Sequence, residues 1–205
     1  MSLTEEHRAY LLSRGYTPEL LLEDQPFSVN GKVSRLGLTV EHQDGAVGWD
    51  VFSMAQSPMG ILTRETKQKK YRWAQKKEVE HLPIMFGSKR DYELLWETKK
   101  AVISEGIFDR VALKRLWPTP TPIFARLTKG IGKQFLVFLS RYADEVITVF
   151  DNDDPGRTAT ERTENKLEGA KSLLLPAHDP AKFLETYGEA KGRALIRKRL
   201  LTLED

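Results

Sequence analysis

The stretch EVITVFDNDDPGRTATER, Glu145 to Arg162, decides the fold. Its first half is a short β-branched and apolar run, Val146 to Phe150, of the kind that fills a strand buried on both faces. The run ends in three acids, Asp151, Asp153 and Asp154, after which Pro155 and Gly156 open a polar helical pattern. Asp154 before Pro155 reads as a helix N-cap with proline at the first helical position. Strand, acidic turn and helix form the unit of parallel sheets, and open parallel sheets hold ligands beyond the carboxyl ends of their strands. Asp151 and Asp153 therefore stand where such a sheet places its chemistry. Two carboxylates this close repel each other unless a cation neutralises them. Hard oxygen ligands suit Mg2+ or Mn2+.

The same rhythm extends on both sides. KAVIS (Lys100 to Ser104) is a strand candidate followed by the helical IFDRVALKRLW. PIFARL is a second strand, GKQFLVFLSRYA a second helix, and KSLLLP (Lys171 to Pro176) a fourth strand with helices after it. The alternation predicts an α/β lobe, a parallel sheet with helices on its faces. Glu105 closes the first of these strands, Gly106 follows, and Asp109 lies one helical turn on. If the first and third strands are neighbours, Glu105 faces Asp151 and Asp153, and three carboxylates make a divalent-metal site.

Residues before this lobe follow other rules. Residues 3–14 have helical spacing. KVSRLGLTV, AVGWDVF and MGILTRE are short strand-like runs, with QDG (Gln43 to Gly45) read as a hairpin turn between the first two. DYELLWETKK is a further helix. The reading is a smaller mixed α+β lobe, residues 1–96, ahead of the α/β lobe, residues 97–205.

Charge is distributed unevenly. The chain has 32 basic and 29 acidic residues, a net charge of +3. RETKQKKYRWAQKK (Arg64 to Lys77) alone holds seven basic residues and one acid. A basic face set apart from an acidic site is a footprint for a polyanion handled by metal ions. Lys67, Lys69, Lys70 and Arg72 would track a phosphate backbone, Tyr71 or Trp73 would stack an unpaired base, and Lys89 and Arg90 would join the same groove. Arg157, Lys129 in the TKGIG loop, and Arg64 are candidates for nucleotide phosphates. There is no cysteine, which excludes disulfides, thiol catalysis and cysteine-ligated zinc, and fits a reducing, cytoplasmic setting. No apolar run is long enough to span a membrane, and MSLTEEHRAYLLSRG lacks the basic start and apolar core of a signal peptide.

ISEGIFDRVAL and VITVFDNDDPGRTATER resemble the Glu-Gly and Asp-x-Asp motifs of the TOPRIM domain, in the version found in DnaG-type bacterial and phage primases. PIFARLTKGIGKQFLVFL resembles the family's second strand, glycine-containing loop and helix. AHDPAKFLETYG resembles its late Asp-Pro-Asp segment, with Asp179 at the first acid and Ala181 in place of the second. The likeness spans most of residues 7–190 and is loosest before residue 80. It implies a Rossmann-like TOPRIM fold and the synthesis of short RNA primers from ribonucleoside triphosphates on single-stranded DNA. Glu105, Asp151 and Asp153 would then be the catalytic metal ligands, with Asp109 and Asp179 as auxiliary acids around two Mg2+ or Mn2+ ions. It further implies a catalytic core without a zinc-binding module or a helicase-binding domain, partnered by a replicative helicase or a separate template-recognition protein. Two other functions use the same features: a TOPRIM nuclease that activates water at the same carboxylates, and a non-catalytic subunit that binds single-stranded nucleic acid.

Overall fold

Turn chemistry and strand alternation set the first part of the fold. The computed structural model describes residues 2–53, 55, 57–68, 70–77, 85–126 and 133–204. They fall into two units, residues 1–82 and 83–205. The first unit opens with helices α1 (Glu5–Ser13) and α2 (Pro18–Asp24), capped by the Thr4 and Thr17 side chains. An antiparallel sheet follows in the order β1-β2-β3-β4, with β1 Phe27–Arg35, β2 Leu38–Phe52, β3 Pro58–Glu65 and β4 Tyr71–Gln75. Phe27, Val29, Val33, Ala46 and Ile61 form one of its core clusters. Trp49 is fully buried and its indole N–H donates to the Tyr16 hydroxyl at 3.1 Å, which donates in turn to Asp24 at 2.9 Å. This chain of bonds ties the helices to the sheet.

The first hairpin corrects the sequence reading. The turn lies at Leu36 and Gly37, inside the run read as one strand, with Arg35 paired to Leu38. Both turn residues have positive φ, 54° and 76°, as a two-residue type I′ turn requires. Gln43 to Gly45, expected to be that turn, lies within β2, where the pairing slips between Val29–Ala46 and Gly31–His42. The extra residues are absorbed as an irregularity in one long strand rather than as a reversal.

The second unit is a sheet in the order β5-β7-β6-β8-β9. Its strands are β5 Met85–Phe86, β6 Lys100–Ser104, β7 Ile123–Arg126, β8 Glu145–Val149 and β9 Ala170–Ser172. All neighbours are parallel except the short edge strand β5, which runs antiparallel to β7. The helices are α3 Lys89–Thr98, α4 Ile107–Leu116, α5 Lys133–Tyr142, α6 Asp154–Glu164 and α7 Pro180–Glu204, the last broken at Gly188. A core cluster of Val102, Leu113, Leu116, Ile147, Val149, Phe183 and Ile196, among others, joins the sheet to α4 and α7. The last strand is shorter than KSLLLP: it spans Ala170–Ser172, with the Leu173 N–H still donating to the Thr148 carbonyl at 2.8 Å. Among the described residues no helix is long and apolar enough to cross a membrane.

The division between units falls before α3, not at residues 96–97. Asp91, on the first turn of α3, is wholly buried. Its carboxylate accepts from the Ser88 backbone N–H at 2.9 Å and the Ile123 N–H at 3.0 Å. It also pairs with Arg110 at 2.5 Å and Lys114 at 2.7 Å, both on α4. Burial alone would raise its pKa, but the two cations outweigh burial and hold it at about 2. A charge network of this kind binds α3 to the parallel sheet, a long-range link invisible to local pattern.

Candidate active site

Strand register brings the acids together. β6 and β8 are adjacent and parallel, with Ser104 opposite Val149. Glu105 and the Phe150–Asp151 pair therefore leave the carboxyl ends of neighbouring strands. β7 lies on the other side of β6, with Ala125 opposite Ser104, which sets Arg126 beside Glu105. The Arg126 guanidinium pairs with Glu105 Oε2 at 2.6 Å and lies 4.5 Å from the centre of the Phe150 ring.

The loop after β8 is locked by close approach. The Asn152 N–H donates to the His178 carbonyl at 2.6 Å, joining this loop to the segment that leads into α7. A Cβ on Gly156 would lie 1.9 Å from the Asp151 carbonyl oxygen, so only glycine fits. The N-cap of α6 is Asp153, whose Oδ1 accepts the Gly156 N–H at 2.8 Å. The sequence reading placed the cap one residue later. Asp154 is instead the first helical residue, 93% exposed and paired with Arg157. Proline at the second helical position serves as well as at the first, because that N–H has no partner within the helix either.

Asp151 and Asp109 report the crowding of charge. Burial first, then the charges of Glu105 and Asp179, push the Asp151 carboxyl up to about 6, with His178 opposing the rise. Burial, then Asp151 and Asp179, push Asp109 up to about 7, against the pull of backbone N–H groups from Gly106 and Ala181. The Gly106 N–H donates to Asp109 at 3.1 Å. Asp179 caps α7, accepting the Lys182 N–H at 2.6 Å, and stands 3.5 Å from His178 Nδ1.

The structure thus brings Glu105, Asp109, Asp151 and Asp179 into one charge cluster, with Asp153 at its edge. As they stand, no three acidic or imidazole groups among the described residues are set to hold a metal ion. The reason is local: Asp153 and Asp179 each commit an oxygen to a helix cap, and Glu105 commits one to Arg126. Two buried carboxylate oxygens nevertheless have no hydrogen-bond partner among the described residues, Glu105 Oε1 and Asp151 Oδ1. Unsatisfied acceptors beside a carboxyl with a raised pKa fit a cation, which would relieve both the desolvation and the repulsion.

The other expected contacts divide. Lys67 and Lys70 are exposed around the β3–β4 turn. Tyr71 is 42% exposed, with the Arg64 guanidinium 5.1 Å from its ring centre. Arg72 is exposed but paired with Glu65 at 2.8 Å, and Glu65 also meets the buried His42 at 3.2 Å. Trp73 is half-buried and lies over Gly60, where a Cβ would come within 2.6 Å of its ring. Its placement is that of a packing residue rather than an open stacking platform. Arg64 is buried and donates to the Tyr10 hydroxyl, which withdraws it from easy reach of a nucleotide. Lys89 and Arg90 belong to α3 of the second unit and pair with Glu93 and, for Arg90, Glu97. Arg157 is held by Asn152 Oδ1 at 3.1 Å and by Asp154. Lys69 and Lys129 lie outside the described residues. Arg126 was missed from sequence; its one signal was a cation ending an otherwise apolar strand.

Comparison with known proteins places similar geometry in primases. A model described as Toprim-like matches residues 102–184, from within β6 to the first turns of α7. The chain is 29% identical over 165 residues to the DNA primase of Borreliella burgdorferi, an alignment covering 74% of this chain and 28% of that protein. Among solved structures, the zinc-binding and RNA polymerase domains of the Aquifex aeolicus primase superpose with a TM-score of 0.77 at 20% identity, covering 95% of this chain and 56% of that one. A DnaG primase catalytic domain bound to single-stranded DNA also gives a TM-score of 0.77, at 16% identity, over 97% of this chain and 71% of that one. At these identities the structural likeness establishes the fold alone, one shared with these primase domains. The chain spans about a quarter of the length of the curated primases it matches.

Proposed function

We propose that this chain is a primase-like nucleotidyltransferase core that makes short RNA on single-stranded DNA from ribonucleoside triphosphates. The observation that carries the reading is the placing of Glu105 and Asp151 beyond the carboxyl ends of the adjacent strands β6 and β8, each with a buried oxygen that has no hydrogen-bond partner among the described residues. Glu105 and Asp151 would hold a divalent cation, Mg2+ or Mn2+, with Asp153 and Asp179 beside it. Such a cation, when bound, neutralises charge on a phosphoryl group and acidifies a sugar hydroxyl. The primases to which the chain is similar support this reading, as does the fold it shares with a DnaG domain bound to single-stranded DNA.

The chain's own residues perform the remaining work. Asp109 anchors the start of α4 through Gly106, and with its carboxyl raised to about 7 by burial and the neighbouring acids it carries its full charge only above neutral pH. Gly156 and the Asp153 cap fix the backbone that follows Asp151, so its carboxylate is aimed before any ligand arrives. Preorganisation of this kind is where phosphoryl transfer gains most. Lys67 and Lys70 of the first unit would meet template phosphates, with Tyr71 offered to an unpaired base. A replicative helicase or a separate template-recognition protein would recruit the core.

The test is incubation of the protein with single-stranded DNA, labelled ribonucleotides and Mg2+ or Mn2+. Labelled short RNA from the wild type, lost in Glu105→Gln and Asp151→Asn, is the expected result. Cleaved DNA or RNA without incorporation would replace this reading with that of a nuclease. A mobility shift with neither product would reduce it to a binding subunit.

A further inference from the structure

Arg126 is an odd residue to end a buried parallel strand. It is only 7% exposed, yet among the described residues it has a single charged partner, Glu105. One arm of its guanidinium, Nη2, holds Glu105 Oε2 at 2.6 Å. The other arm, Nη1, is buried with no hydrogen-bond partner among the described residues. The guanidinium carbon lies over the Phe150 ring, 4.5 Å from its centre, so the ring immediately before Asp151 packs against the fork. A buried cationic donor without an acceptor destabilises a fold, and a counter-ion for Glu105 alone would need only one arm. Apart from the Thr148 hydroxyl within β8, the buried side-chain atoms of this sheet and its strand ends without partners among the described residues are Nη1 of Arg126, Oε1 of Glu105 and Oδ1 of Asp151. Two acceptors ask for a cation, and one N–H donor asks for an anion.

We propose that Arg126 is a working part of the centre, positioning Glu105 through Nη2 and contacting a phosphate oxygen of a bound nucleoside triphosphate through Nη1. The identity of the anion rests on the nucleotidyltransferase reading above; the existence of an anion contact rests on the fork alone. A guanidinium suits the role because its two arms are fixed in one plane. One can stay on the carboxylate while the other meets the phosphate, and the charge persists at any working pH. The arrangement also makes Arg126 a competitor of the cation for the field of Glu105. The same side chain should then oppose metal binding and favour nucleotide binding.

That opposition is the test. Wild type, Arg126→Gln and Arg126→Lys are titrated with Mn2+ alone, read by the resonance of free Mn2+. They are then titrated with the non-hydrolysable α,β-methylene ATP in the presence of Mg2+, read by calorimetry. Arg126→Gln should bind the nucleotide about 10-fold more weakly, the scale of one charge-assisted contact, and Mn2+ several-fold more tightly, because a repelling charge is gone. Arg126→Lys, which keeps the charge but not the fork, should bind Mn2+ as wild type does and recover only part of the nucleotide affinity. Wild-type nucleotide affinity in Arg126→Gln overturns the proposal. So does a parallel loss of both affinities in Arg126→Gln and Arg126→Lys together with a lowered melting temperature, which marks a purely structural role. If wild type makes no RNA while the opposed shifts appear, the nucleotidyltransferase reading fails and the anion contact stands. If wild type makes RNA and Arg126→Gln binds nucleotide normally, only this inference fails.

Discussion

Replacing Asp109 by asparagine should flatten the pH dependence of stability in protein stripped of divalent cations. The carboxyl is raised to about 7 in the fold, above the ordinary carboxylate value of about 3.9 in the unfolded chain. The sign follows. A group with a raised native pKa contributes stability that is fully present below the unfolded pKa and lost as pH rises through the native one. Between about pH 5 and pH 7 the unfolded chain is ionised here while the native carboxyl still holds its proton, and each pH unit costs about 1.4 kcal/mol. Two units give about 2.7 kcal/mol as an upper figure; solvent access and coupling to Asp151 and Asp179 reduce it to about 1–2 kcal/mol. Urea denaturation in a chelator, at about pH 5 and about pH 8, measures the difference between variant and wild type at each pH. That difference should move in favour of Asp109→Asn by about 1–2 kcal/mol on going to the higher pH. Comparing the change, not the absolute stability, cancels any hydrogen bond the amide loses with Gly106 or Ala181. An unchanged difference, or a move in the opposite direction, would refute the claim that Asp109 is pressed by burial and by neighbouring acids.

Two other outcomes follow from the geometry. Gly156→Ala puts a methyl group 1.9 Å from the Asp151 carbonyl oxygen, so the turn must open. It should cost about 2–3 kcal/mol in denaturation and, by moving Asp151, remove the RNA synthesis proposed above even at temperatures where the protein stays folded. Lys67→Ala with Lys70→Ala should leave the melting temperature unchanged and weaken single-stranded DNA binding. The slope of log affinity against log salt should fall by about 1.4, near 0.7 for each lost phosphate contact; an unchanged slope would remove these lysines from the interface.

The parallel lobe was legible from sequence because its signals are local. β-branched runs closing on acids and alternating with helical periodicity are properties of neighbouring residues. Whichever strands paired, Glu105 and Asp151 had to lie at carboxyl ends. The first hairpin was less legible. Leu36–Gly37 and Gln43–Gly45 are both turn-like, and only the pairing of β1 with β2 selected between them.

Local pattern determined the strand–helix alternation, the two acidic turns and the exposure of the lysines around the β3–β4 turn. Tertiary structure decided the rest: β6 lies between β7 and β8, Asp153 spends an oxygen on a cap, α3 is held to the parallel sheet by Asp91, and Glu105 has Arg126 as a neighbour. The physical reason is range. Hydrophobic period and turn preference act over a few residues, whereas a buried charge is settled only by whichever opposite charge or dipole the finished fold brings within reach, here 21 residues away along the chain for Glu105 and Arg126.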